Sequence, residues 1–371
     1  MTERVPTADA PLHVGSDTHV SVLTGLAQFE EIGAEWDALA LRSSSVFDTV
    51  AWLSSWWEAY GTGTMAVLVL RDTAGHLLAG IPCRRVSRTI WASMSNVQSG
   101  DWRAVAIDEA AERAAWRALG RLAPGLRLHG LVEGDGGAAV ARAELAAAGY
   151  RVVTTGGSRS PFLPLPPTYE DLLASVSHDL RSQVKRKRRA LEKVGPVRLR
   201  IVCGGPGLQD ALEEVLRLEG SGWKSQAGTA ILTDPALERL YRSFAARAAE
   251  RGFLRLCLLE AGGETVAVDF DCSFGGIGYM LKTGYDERFR RYSPGLVLTA
   301  EMLRAAIDEG LCAYDFLGGP DPHKMRWTST VRPRVGLRAY RGVSTLPEAL
   351  YWKHGRPALR WLALRTVRRS A

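Results

Sequence analysis

The stretch Gly284-Tyr-Asp-Glu-Arg-Phe-Arg-Arg-Tyr-Ser-Pro-Gly-Leu296 joins a strand to a helix. Upstream, Val266, Val268, Phe270, Cys272 and Phe274 alternate with other residues, the period of a strand. Downstream, Pro294 to Glu309 reads as one long helix. Ser293 is a good N-cap residue, and Pro294 suits the first helical position, where its missing N–H needs no partner. Gly295 lets a ligand come close to the main chain. The N–H groups of Gly295, Leu296 and Val297 are expected to point out of the helix start, at its positive dipole end. Arg288, Arg290 and Arg291 lie immediately before it. Such a junction can seat a pyrophosphate without a Walker motif. The plainer reading is a helix start beside three solvated arginines.

Working outward, Leu254 to Glu260 and Glu264 to Phe274 form a hairpin over Ala261-Gly262-Gly263, and Gly278 to Thr283 pairs next. Helices are expected at Tyr169 to Ser175, Leu180 to Lys193, Leu208 to Glu219 and Pro235 to Glu250. Further strands fall at Val197 to Val202, Ala313 to Leu317 and Val335 to Tyr340. The first half uses the same grammar. A strand (His19 to Leu23) precedes helices around Trp36 and Trp56, a hairpin (Met65 to Leu70, Leu77 to Arg85), and alternating helices and strands to Thr155. Prolines between Ser160 and Pro167 break the chain there. The expected organisation is a mobile leader (1–18), a first domain (19–165), a second domain (166–345) and a basic amphipathic tail (346–371). The fold class is mixed α/β, a duplicated unit without a residue-level repeat.

Composition limits the function. The 371 residues are 46% hydrophobic and 23% charged, which excludes a disordered chain or a disulfide scaffold. No apolar run approaches the roughly 18 residues of a membrane span. The first residues lack the order of a signal peptide. Cys83, Cys203, Cys257, Cys272 and Cys312 are scattered, as in reduced core thiols, so a cytoplasmic location is expected. Seven histidines show no metal-binding spacing, and no metal site is expected. Lys+Arg exceed Asp+Glu by 47 to 40, much of the excess lying in Arg181 to Lys193 and Lys353 to Arg369. No surface for self-assembly stands out.

The order Glu219-x-x-x-Trp223-Lys224, Gly284-Tyr285-Asp286, Ser293-Pro294-Gly295 and Tyr314-Asp-Phe-Leu-Gly-Gly319 resembles one branch of the GNAT acyltransferase superfamily. It is the branch of cellulose-biosynthesis-type acetyltransferases, related to the Fem peptidyltransferases. Phe47-Asp-Thr-Val-Ala-Trp52 with Trp56-Trp57 resembles that group's opening, and the likeness spans roughly residues 45–330. The resemblance implies two tandem GNAT-like domains, each a mixed, largely antiparallel sheet flanked by helices. It also implies an acyl-CoA cosubstrate, with no permanently bound cofactor. The superfamily signature Arg/Gln-x-x-Gly-x-Gly/Ala is absent. Arg291-Tyr-Ser-Pro-Gly295 stands at that junction with altered spacing.

Acyl transfer needs donors that polarise a carbonyl and a base for the acceptor amine. Asp269 and Asp271 project from one face of a strand, about 7 Å apart, and either can serve as base. The plainer reading is an exposed face of an antiparallel strand carrying ordinary acids. Asp315 ends a strand near the expected cleft, or caps a loop N–H. Tyr285 is the candidate acid for the departing thiolate, or a core tyrosine. Glu219, Trp223 and Lys224 line an acceptor pocket, or form a helix end with an ion pair. The likeness to Fem enzymes gives Lys324 a substrate-handling role. The basic helix Arg181 to Lys193 suits phosphates, on CoA or on a tRNA acceptor arm, or is partly solvated. The tail suits an anionic membrane surface, or docks on its own domain. The expected activity is transfer of an acyl group, acetyl first, from a CoA thioester to an amine of a small-molecule or sugar-like acceptor. The alternatives are an aminoacyl-tRNA donor and a non-catalytic binding protein.

Overall fold

The computed structural model describes residues 12–13, 18–134, 136–221, 230–342 and 345. The first half runs β1 (Leu12–His13), β2 (Thr18–Leu23), α1 (Leu26–Glu31), α2 (Gly33–Ser43), α3 (Val50–Tyr60), β3 (Thr64–Asp72), β4 (Leu77–Arg85) and β5 (Ile90–Ser93). It continues through β6 (Val105–Ala106), α4 (Glu109–Leu122), β7 (Gly125–Val132), α5 (Gly137–Ala147) and β8 (Arg151–Thr155). β9 (Arg159–Pro164) leads to α6 (Tyr169–Ser175), α7 (His178–Glu192), β10 (Val197–Val202), α8 (Leu208–Glu219) and α9 (Pro235–Glu250). Then follow β11 (Leu254–Ala261), β12 (Glu264–Phe274), β13 (Ile277–Tyr285), α10 (Pro294–Asp308), β14 (Ala313–Asp315) and β15 (Val331–Tyr340). Several helix starts carry their own caps. Asp234 accepts from the N–H groups of Ala236 and Leu237, with Pro235 at the first position, and Ser177 accepts from Leu180.

Most strand pairs are antiparallel; β5 with β7 and β13 with β14 are parallel. Each half therefore repeats one motif. A hairpin (β3–β4 or β11–β12) is followed by a third strand (β5 or β13), a helix (α4 or α10), and a strand parallel to the third (β7 or β14). The halves also exchange strands. β15, although it follows the second half in sequence, pairs with β7 and β8 of the first. β9 pairs with β14 of the second half and meets β15 at Val331–Pro333. Residues 12–13, inside the expected leader, pair with β2.

Helices cover both faces of the second sheet. Val268, Phe270 and Cys272 face α8, α9 and α3, in a core shared by both halves. Trp52 stacks edge-on against Phe244 at 5.0 Å. Trp52 and Trp56 are fully buried and belong to the core, with Trp57 half-buried against it. Each large apolar side chain buried in this way contributes roughly 1.5–3 kcal/mol. On the other face, Cys257, Ala267 and Met280 pack under α10 and α7. Among the described residues no helix is long and apolar enough to cross a membrane. Trp223, Lys224 and the tail 346–371 lie outside the described residues.

Candidate active site

β13 hydrogen-bonds to β12 along nearly its whole length, but pairs with β14 only through Ile277, Gly278 and Tyr279. From Met280 to Tyr285 no described strand covers that edge. At this fork lies a cavity of about 530 Å³. Met280, Thr283 and Tyr285 form one wall, and Ser293, Gly295 and Leu296 at the start of α10 form another. Glu219, Ser221 and His323 approach from the remaining sides.

Gly284 explains the third wall. A Cβ there would lie 2.6 Å from Glu219 Cα and from Leu218 O, so only glycine lets the end of α8 rest on β13. That contact fixes Ser221, whose Oγ donates to the Tyr285 carbonyl at 2.7 Å. It also fixes Glu219, a buried carboxylate that accepts the Ile231 N–H at 2.9 Å.

The helix start differs from the sequence expectation. Ser293 takes left-handed angles (φ 51, ψ 56) and its hydroxyl caps nothing. Its carbonyl instead accepts the N–H groups of Leu296 at 3.0 Å and Val297 at 3.4 Å. Two of the three amides expected to face a ligand are thus bonded to Ser293, and Gly295, which lines the cavity, is the third. A Cβ at Gly295 would meet nothing within 4 Å. A non-glycine residue at positive φ is strained, and such strain collects at functional sites.

The three arginines separate. Arg290 lines the cavity. Arg288 is exposed and pairs with Asp286 and Glu264, each at 2.8 Å, which takes it away from the seat. Arg291 lies over its neighbour Tyr292, donating to the phenol oxygen at 2.6 Å. The basic helix α7 enters here, because Lys187 Nζ donates to the Arg291 carbonyl at 2.6 Å. α7 buries Leu180, Val184 and Leu191. Arg181 holds the Leu173 carbonyl and Arg188 holds Glu301, whereas Lys185, Arg186, Arg189 and Lys193 are exposed.

Asp269 and Asp271, expected either at the acceptor cleft or on an exposed face, are buried instead. Asp269 and Asp271, each 1% exposed, lie on the face covered by α10. They stand across from Thr283 and Met280, one strand behind the cavity wall. Tyr314 donates to Asp271 at 2.8 Å, and burial pushes the Asp271 carboxyl up to about 7. Asp315 is buried too; it accepts the Leu317 N–H at 2.8 Å and an Arg334 N–H at 2.8 Å. Lys324 donates to the Leu317 carbonyl at 3.0 Å and pairs with Asp321 at 3.4 Å, so its ammonium braces a loop. Its neighbour His323 reaches the cavity. The only sequence signal for His323 was an imidazole inside the Gly/Pro-rich segment 318–324. Tyr285 is half-buried, and burial, followed by the nearby Glu287, raises its phenol above the ordinary value. It stays protonated at neutral pH, as an acid must.

Residues 178–325 match the model of the acetyltransferase (GNAT) domain family. Among solved structures, FemX is 14% identical, with 86% of this chain and 98% of that one aligned at a TM-score of 0.62. A conserved protein of unknown function from Bacteroides thetaiotaomicron is 14% identical, covering 87% of this chain and 100% of its own, with a TM-score of 0.53. A tandem GNAT protein from the clavulanic acid biosynthesis pathway aligns over 87% and 98% of the two chains at 14% identity and a TM-score of 0.44. No curated protein sequence matches. At such identities the likeness is one of fold: a mixed α/β, GNAT-type architecture with a large, mostly antiparallel sheet flanked by helices.

Proposed function

Because residues 178–325 match the model of the acetyltransferase (GNAT) domain family, we propose that the protein transfers an acyl group, acetyl first, from a CoA thioester to an amine of a small-molecule or sugar-like acceptor. One observation carries this reading: the cavity of about 530 Å³ between the uncovered edge of β13 and the open helix start at Gly295. The Gly295 N–H, the dipole of α10 and Arg290 suit an anionic handle. The uncovered main chain of Met280 to Tyr285 suits an extended donor arm, whose thioester carbonyl its N–H groups polarise. The acceptor nitrogen attacks the carbonyl carbon, the C–N bond forms and the C–S bond breaks. Glu219 and His323 are the wall groups able to take the amine proton. Tyr285 protonates the thiolate and regains its proton from water. Asp269, Asp271 and Asp315 support the walls from behind, and Trp223 and Lys224 keep their acceptor-side assignment.

A second reading, an aminoacyl-tRNA donor, is favoured by the exposed Lys185, Arg186, Arg189 and Lys193 beside the same seat. We further propose that 19–165 and 166–345 are two GNAT-like units and that the protein works in the cytoplasm. Unpaired thiols at all five cysteines suit a reducing compartment. Calorimetry with acetyl-CoA, CoA and charged tRNA separates the readings. Binding of CoA species supports the first and binding of tRNA alone the second; neither indicates a non-catalytic protein. Gly295→Glu, which places a carboxylate in open space at the anion seat, is expected to weaken acetyl-CoA binding more than 100-fold with Tm unchanged. Undiminished binding removes Gly295 from the donor site.

A further inference from the structure

The donor cavity exists because β13 and β14 part company after Tyr279, and one side chain stands at the point of parting. Tyr314 on β14 is buried, and its ring lies flat against β13. A Cβ at Gly278 would come within 2.5 Å of Tyr314 Cδ2, so the ring can cross the strand only over a glycine. Beyond β13 the phenol reaches β12, where it donates to Asp271 Oδ2 at 2.8 Å. The other Asp271 oxygen accepts the Cys272 N–H at 2.9 Å. The ladder slips by one residue between Phe270 and Asp271, so Asp271 stands opposite Met280, the first wall residue of the cavity. Arg255 on β11 stands behind, with Nε 3.9 Å from Asp271, and pairs with Glu309 at the end of α10.

We propose that Tyr314 and Asp271 form a positioning clasp across β13 that fixes where the sheet opens, and thereby the width of the donor cleft. The clasp touches no reacting atom. It ties β14 to β12 at the last paired residues, so the strands separate at Met280 and not earlier or later. Loss of the phenol hydroxyl unties the three-residue β14 from β12 and leaves it on its short pairings with β13 and β9, which can settle in a shifted position. The loop after β14 carries His323 to the opposite wall, so both walls shift together. The expected consequence is a cleft that binds donor less well yet turns over normally once filled.

This inference rests on the donor reading above, and one set of measurements keeps the two apart. Acetyl-CoA binding is measured by calorimetry for wild type, Tyr314→Phe, Asp271→Asn and Asp271→Ala, with thermal unfolding of each; where turnover is detectable, KM and kcat follow. Tyr314→Phe is expected to raise Kd and donor KM roughly tenfold, the size of one lost buried hydrogen bond, with kcat within about twofold. Asp271→Asn keeps an acceptor oxygen for the phenol and is expected to stay within about threefold of wild type. Asp271→Ala is expected to match Tyr314→Phe, and the double variant to be no worse than either single one. If wild type binds acetyl-CoA and Tyr314→Phe binds it equally well, the clasp is wrong. The same holds if the variants lose Tm and kcat while KM stays fixed. If wild type binds no CoA species, the donor reading fails, and the clasp with it.

Discussion

Asp48, Asp101 and Asp315 meet Arg103, Arg332 and Arg334 in one buried cluster where the halves join. Arg334 bonds Asp101 and, at 2.8 Å, Asp315; Arg103 lies 3.3 Å from Asp48 and 3.7 Å from Asp101. Four of these groups, Asp48, Asp101, Asp315 and Arg334, are buried, and burying charge costs more than Coulomb attraction returns unless pairing is close. Asp48 has the loosest pairing, and burial pushes it from 3.8 up to about 7. Asp101, against its arginines, is held below the usual range. A carboxyl whose folded value is raised contributes most below pH 4, and that contribution is lost as pH climbs towards 7, because the unfolded chain ionises first. Asp48→Asn should therefore gain stability relative to wild type between pH 4 and pH 7, by at most about 4 kcal/mol. Urea midpoints across that range test it, and equal slopes for both proteins would rule it out. Asp315 shows what a sequence can say at this scale. Its motif marked it, and capping a loop N–H was one of its two readings. Its partner Arg334 lies on a strand that only the folded topology brings alongside.

Elements were more legible than the contacts between them. The hairpin β11–β12, the strand β13, the helix from Pro294 and the basic helix were all read within a few residues, because period and breakers are local. The face that β12 gives to α10 was misread. An acidic pair on alternate positions suggests solvent, and what makes the burial of Asp271 tolerable comes partly from afar: Tyr314, 43 residues away, and Arg255, besides the adjacent Cys272 N–H. The amides of Leu296 and Val297 do not point outward because the Ser293 carbonyl takes both: Val297 by the i→i−4 bond that any N-cap carbonyl accepts, Leu296 by an i→i−3 bond that tightens the first turn. Two glycines at the ends of this junction offer a contrast. Gly284→Ala pushes a methyl into the backbone of α8 and should cost about 1–3 kcal/mol while displacing Glu219 from the cavity. Gly295→Ala enters empty space and should leave Tm within about 2 °C. Equal denaturation midpoints for these two variants would mean that α8 does not bear on β13.

At the scale of the whole molecule, the repeated motif raises the question of whether each half holds a donor. The counterpart of β13 in the first half is β5, and the counterpart of β14 is β7. β5 stops at Ser93, whereas β13 continues six residues past its last pair with β14. The chain then loops away and returns as Trp102, fully buried. Its main-chain N–H donates to Gly130 on β7 at 2.9 Å and its indole N–H to Pro82 on β4 at 2.8 Å, with the ring against Trp116 of α4. Trp102 thus plugs the edge of β7 beyond its last pair with β5, bonded to β7 and β4 and with its ring beside α4. The following helix, α4, opens with Asp108 bonded to its own Ala111 N–H and with Glu109 and Glu112 in its first turn, a start that repels an anion. No sequence repeat could reveal this, since the plug is a tertiary event in a loop that has no counterpart in the other half. The halves are therefore unequal: the second opens a cavity along the uncovered edge of β13, whereas the first has Trp102 at the corresponding place and supplies β9 and part of a shared core. Calorimetric titration with acetyl-CoA should give one site per chain, and Gly295→Glu should remove it entirely. A stoichiometry of two, or a residual site of similar affinity in that variant, would show that Trp102 does not close the first half.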